Sequence, residues 1–131
     1  MYGVGMVSKD KVYSDPVVLT EGTIDRDVLI TVYPYVFGCL TSGLSKLNTE
    51  LMKYITNHVI LAYDNDEAGQ KAIRRDRWAL QNAGLRVSVL NHMAGHKDPG
   101  DVAQALYEGR ESEANLALSF YRVAINRLKG E

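Results

Sequence analysis

Carboxylates stand at three points of this chain, each close behind a short apolar run. Glu21 and Gly22 follow Val17–Thr20, with Asp25 one helical turn later. Asp64 and Asp66 follow Val59–Tyr63, and Asp98 and Asp101 close a loop reading His96-Lys97-Asp98-Pro99-Gly100-Asp101. If the apolar runs are adjacent strands of a parallel sheet, the three clusters meet beyond the strands' C-terminal ends, where such sheets bind ligands. Gathered carboxylates repel and raise each other's pKa, and a divalent cation offsets that cost. Oxygen ligands with few His or Cys among them favour Mg²⁺, which takes one or two carboxylates together with water and substrate phosphate. Asp64 and Asp66, two residues apart, face the same way on an extended backbone and can meet one ion or a pair. Gly22 and Gly69 permit tight strand–helix turns or a close approach of backbone to phosphate.

Each piece also has a plainer reading when taken singly. Asp64 or Asp66 alone suits a helix N-cap, and Asp101 suits the same role behind an Asp98-Pro99-Gly100 turn. Asp25 and Asp27 fit the acidic first turn of a helix. What favours a joint site is their order, each cluster behind its own predicted strand.

Two kinds of segment alternate to position them. Strands are predicted at Val17–Thr20, Val36–Leu40, Val59–Tyr63 and Arg86–Leu90, where β-branched residues concentrate. Between them lie helical spacings: Ile24, Val28, Leu29 and Val32; then Leu47, Leu51 and Ile55, with Tyr54 beside them. A third helix starts near Asp66 and carries Ala68, Ala72, Ile73, Trp78, Ala79 and Leu80, with Gly84 as its stop. The alternation predicts an α/β fold, a mostly parallel four-stranded sheet flanked by helices. The spacing of Leu116, Phe120, Val123 and Arg127 adds an amphipathic C-terminal helix. The expected division is an N-terminal extension over residues 1–15, the α/β domain over 16–108, and a C-terminal helical segment over 109–131.

At 131 residues there is room for one such domain. Fifteen Lys plus Arg against sixteen Asp plus Glu give a net charge of -1, which excludes binding nucleic acid by bulk positive charge alone. Cys39 is the single cysteine, so no internal disulfide forms, and its neighbours predict a buried, reduced thiol. No apolar run is long enough to span a bilayer, and the start lacks the pattern of a signal peptide, so a cytoplasmic protein without a membrane partner is expected.

The cations are placed unevenly. Lys71, Arg74, Arg75 and Arg77 crowd the third helix against Glu67 and Asp76. They suit a phosphate-contacting surface or simply a solvated face. Lys9, Lys11, Lys46 and Lys97 are further candidates for phosphate or nucleic-acid contact. His92 and His96 lack a third ligand for zinc, and the aromatic residues do not alternate with basic ones as in a stacking platform.

Together, Glu21-Gly22-Thr23-Ile24-Asp25, Thr41-Ser42-Gly43, Tyr63-Asp64-Asn65-Asp66-Glu67-Ala68-Gly69-Gln70-Lys71-Ala72 and Lys97-Asp98-Pro99 resemble a Toprim domain. They lean toward the catalytic core of bacterial and phage DnaG-type DNA primases. The resemblance spans about residues 16 to 108 and implies the Rossmann-like Toprim fold. It also implies a nucleotidyltransferase that makes RNA primers on single-stranded DNA from ribonucleoside triphosphates. Two or more Mg²⁺ or Mn²⁺ ions are implied, on Glu21, Asp64, Asp66 and Asp98 with Asp25 nearby. Glu21, Asp64 and Asp66 would be catalytic, and a replicative helicase or other primase modules would be partners. Primases commonly read Asp-Pro-Asp where this chain has Asp98-Pro99-Gly100, so Asp101 becomes the candidate for the last acid. The zinc-binding module, most of the template-holding subdomain and a helicase module are not found in this sequence, so the resemblance implies either an excised core of a larger, phage-like primase or a small stand-alone Toprim protein. The same acids also fit a small Toprim nuclease, or an assembly module that holds metal without turnover.

Overall fold

A computed structural model of the chain describes residues 13–38, 44–92 and 98–130. In chain order the elements are β1 (Val17–Thr20), α1 (Thr23–Leu29), β2 (Val36–Gly38), α2 (Lys46–Ile55) and β3 (His58–Leu61). They continue as α3 (Glu67–Asn82), β4 (Arg86–Val89), α4 (Gly100–Tyr107) and α5 (Glu111–Lys129). The strands form one parallel sheet in the order β2-β1-β3-β4, the four-stranded α/β arrangement that the alternation of elements predicts.

β1 and β3 are buried at every position because helices cover both sides of the sheet. Alternate residues feed two cores. Val18, Val36 and Ile60 pack with Leu29 of α1, Val102 and Ala105 of α4, and Ala114, Ala117, Tyr121 and Ile125 of α5. Val17, Leu19, Phe37, Val59 and Leu61 pack on the other side with Met52 and Ile55 of α2 and Ala72, Ile73 and Leu80 of α3.

The chain steps from β1 to β2 through α1 on one face, then passes back across β1 to β3 through α2 on the other. Reversing direction while keeping one crossover hand requires that change of face. The reversal makes the gap between β1 and β3 the switch point of the sheet, where ligands bind in open α/β folds. Glu21 leaves β1 at that point, and Asp64 lies just past β3.

The strands lie where the sequence places them, with β3 shifted to begin at His58 and end at Leu61. The helix faces differ more. In α5 the buried stripe is Ala114, Ala117, Tyr121 and Ile125, whereas Leu116 and Val123 of the expected stripe face outward. Alanines let this helix approach α4 and the sheet closely, which larger leucines would prevent. In α2 the buried residues are Thr49, Met52 and Ile55, with Leu47 and Tyr54 outside. Trp78 of α3 is exposed as well. Ile24 of α1 is also turned outward, where it lines an apolar cleft of about 270 Å³ with Val28, Leu106 and Leu118. Gly84, at φ +92°, stops α3 as expected.

The expectations for Cys39, for the end of the second strand at Leu40, for Thr41-Ser42-Gly43, and for Lys9, Lys11, His96 and Lys97 lie outside the described residues. Among the described residues no helix is long and apolar enough to cross a membrane.

Candidate metal centre

Three of the predicted acids converge above the switch point. Asp25 comes from α1, Asp64 from the segment after β3, and Asp98 from just ahead of α4. One carboxylate oxygen of each lies within 4.8 Å of the others. The fold forces this meeting: α1 and α4 pack side by side on the same face, and β1 pairs directly with β3.

Asp25 is the most enclosed, 7% exposed, and its Oδ1 accepts the Gly100 N–H at 2.7 Å. Burial, then the charges of Asp98 and Asp64, push its pKa from 3.8 to about 7. The Asp25 carboxylate is thus buried and faced by two like charges, a cost that a bound cation would offset. Three hard oxygen donors with no nitrogen or sulfur among them fit Mg²⁺ or Mn²⁺.

Glu21, Asp66 and Asp101 are not part of that trio. Glu21 Oε1 accepts the backbone N–H of Asp64 at 2.8 Å, so it ties the end of β1 to the acid beyond β3. Asp66 is the N-cap of α3, its Oδ1 accepting the Gly69 N–H at 2.7 Å. Asp101 sits inside the first turn of α4, one residue past the helix start, and its N–H reaches the Asp98 carbonyl at 3.2 Å. Gly69 is needed where it stands: a Cβ there would lie 1.9 Å from the Asp64 carbonyl oxygen. Among the candidate phosphate contacts, Lys46 opens α2, while Lys71, Arg74 and Arg77 lie exposed along α3.

Several supporting residues were not singled out by the sequence. Asp76, set there only against the cations of the third helix, is 1% exposed. It accepts the Tyr63 hydroxyl at 2.7 Å, Arg75 Nε at 3.1 Å and the Leu44 N–H at 3.4 Å. Its spacing from Ala72, Ile73 and Leu80 places it on the apolar face and was the available signal. His92, weighed as a metal ligand, instead bridges two elements. Its Nε2 donates to the Tyr63 carbonyl at 2.5 Å, which leaves Nδ1 to accept from the Tyr121 hydroxyl at 3.1 Å. Burial and then Asp98, Asp101 and Asp25 push the Tyr121 phenol up, so it remains a neutral donor. Arg26 is buried and donates through Nε to the Val36 carbonyl at 3.0 Å, fastening α1 to β2.

With this geometry in place, the resemblances of the chain acquire a location. The model of the Toprim-like family matches residues 18–103, the stretch that carries all three converging acids. A DNA primase of Clostridium acetobutylicum is 29% identical over 134 residues, covering 97% of this chain. The chain spans only 21% of that protein's length. The Aquifex aeolicus primase, solved as its zinc-binding and RNA polymerase domains, superposes at a TM-score of 0.60 with 25% identity, covering 75% of this chain and 24% of that one. A DnaG primase catalytic domain bound to single-stranded DNA shares the fold at a TM-score of 0.58 and 24% identity, covering 82% of this chain and 36% of its own.

Proposed function

The chain belongs to the Toprim-like family, and on that premise we propose that it is the catalytic Toprim core of a DNA primase. Its reaction would be metal-dependent nucleotidyl transfer, making RNA primers on single-stranded DNA. The observation that carries this reading is the convergence of Asp25, Asp64 and Asp98 at the sheet's switch point. Likeness to primases in sequence and fold supports the choice of chemistry.

Asp25, Asp64 and Asp98 would hold the first Mg²⁺ or Mn²⁺, with Asp66 and Asp101 at the edge for a second. Such ions lower the pKa of an attacking hydroxyl and neutralise charge on the phosphates of an incoming ribonucleoside triphosphate. Glu21 acts through the backbone it holds, fixing Asp64 against β1. The template would be single-stranded DNA, as in the DNA-bound primase domain of similar fold. Further primase modules or a replicative helicase would complete the assembly, since the primase relative is far longer than this chain.

The test is one gel. The chain is incubated with Mg²⁺ or Mn²⁺, a labelled single-stranded template and four ribonucleotides, and both synthesis and cleavage are read. Short products that vanish in Asp64→Asn support primer synthesis, and cleavage of the template would establish a nuclease instead. Neither product, with Mn²⁺ still bound by calorimetry, would mean that the chain holds metal but does not turn over without further modules.

A further inference from the structure

The outward face of α3 carries a feature that the metal centre does not use. Ala72, Ile73, Asp76 and Leu80 turn inward. Lys71, Arg74, Arg75 and Trp78 therefore recur at i, i+3, i+4 and i+7 on the opposite side, with Arg77 on its flank. Trp78 is 68% exposed at the C-terminal end of this stripe. Asp76, the only acid between Lys71 and the end of the helix, is buried and bonded to Tyr63 and Arg75. On the helix itself Asp76 thus compensates Arg75 alone, and the other acid, Glu67, stands at the end nearest the metal centre.

A face meant only for solubility mixes both signs of charge and does not display an indole. Lys71, Arg74 and Arg77 make no ion pair among the described residues, so their charge is open to an anionic partner. We infer that the outer face of α3 is a track for single-stranded nucleic acid. On it Lys71, Arg74 and Arg77 contact successive phosphates, and Trp78 stacks on a base. Lys71 to Arg77 covers about 9 Å of helix axis, and their long side chains reach beyond it to neighbouring phosphates of one strand. The N-terminus of the same helix is capped by Asp66, two residues from Asp64, so a strand lying on this face has one end beside the converging acids. A single strand suits the face better than a duplex, because stacking on an exposed indole needs an unpaired base. This deepens the proposed function by naming how the strand is held. It is tested without metal or nucleotides, so its failure is separate from failure of catalysis.

Trp78 is the only tryptophan, and its fluorescence reports its own surroundings. The full chain is titrated in EDTA with a twelve-nucleotide oligothymidylate at several salt concentrations, and labelled-oligonucleotide anisotropy is followed in parallel. The expected result is saturable quenching of Trp78 and a slope of log affinity against log salt of about −2, from three contacts at ~0.7 each. Lys71→Ala, Arg74→Ala and Arg77→Ala each remove about 0.7 from that slope. Trp78→Ala weakens binding about 5- to 150-fold by anisotropy, and Trp78→Phe recovers most of it. All four positions are exposed, and circular dichroism verifies that each variant folds. Absence of binding, binding without quenching, slopes indifferent to the three substitutions, or equal affinity for a blunt duplex would each overturn the inference.

Discussion

Gly100 and Asp25, 75 residues apart in sequence, are joined by a 2.7 Å hydrogen bond from the glycine N–H to the carboxylate Oδ1. The bond brings α4 against α1 at the point where Asp98 meets Asp25. A Cβ at position 100 would lie 2.9 Å from an oxygen of both Asp25 and Asp98. A residue with a side chain here therefore requires the two carboxylates to spread.

From this follows the behaviour of Gly100→Ala. The intruded atoms are the ends of side chains, and alanine suits a first helical turn, so unfolding free energy should change by less than about 1 kcal/mol. Spreading the acids should weaken Mn²⁺ binding about tenfold. Calorimetry beside urea unfolding separates the two effects, and unchanged Mn²⁺ affinity would show that the acids do not act as one site.

Asp25 also sets a pH dependence. Its pKa is raised from 3.8 in the ordinary state to about 7 in the fold. The folded chain thus holds a proton that the unfolded chain has released between those values, and stability falls as pH rises across that window. From pH 5 to 8 the loss assignable to this group is about 2 to 3 kcal/mol at ~1.36 kcal/mol per unit. Asp25→Asn lacks the titrating group. Relative to the parent it should gain stability by that amount between pH 5 and pH 8, as read by urea midpoints. Saturating Mn²⁺ should flatten the parent's slope, because metal displaces the proton.

The strands were legible in the sequence because a sheet covered on both sides demands unbroken apolar runs, and Val17–Leu19 and Val59–Leu61 supply them. Helix faces were less so. In α5 the sequence advertises Leu116 and Val123, but the helix buries Ala114 and Ala117, since closeness of packing rather than hydrophobicity decides that interface. Asp25, Asp64 and Asp98 could be singled out because each follows a strand in the order the fold requires. The tie from Glu21 to the Asp64 N–H and the bridge from Tyr63 through His92 to Tyr121 could not. Both depend on three-dimensional register across elements that no local spacing records.

Gly69 offers a test of how α3 is docked. Its missing side chain lets the helix start pass against the Asp64 backbone, where a Cβ would fall 1.9 Å from a carbonyl oxygen. Backbone cannot swing aside as a side-chain end can. Gly69→Ala should cost roughly 3 kcal/mol or more in urea unfolding, at the upper end of overpacking effects. Gly22→Ala is the control, since a Cβ there meets Asp25 at an ordinary 3.6 Å. Equal stability of the two variants would contradict this account of the turn.

Asp64 and Asp66 look equivalent in the sequence, yet the structure gives them different work. Asp64 offers an oxygen to the trio with Asp25 and Asp98, while Asp66 spends one on the Gly69 N–H. Asp64→Asn deletes an anionic donor from the centre and should lower Mn²⁺ affinity by well over tenfold, with the fold retained by circular dichroism. Asp66→Asn keeps the cap, because asparagine caps helices as well as aspartate does. It should cost much less affinity and almost no stability. Asp66→Ala removes the cap and should cost ~1 kcal/mol of stability. Its Mn²⁺ affinity should stay close to that of Asp66→Asn, which separates capping from ligation. If Asp66→Asn instead weakens Mn²⁺ as much as Asp64→Asn, Asp66 belongs in the first ligand set, and its cap must give way when the ion arrives.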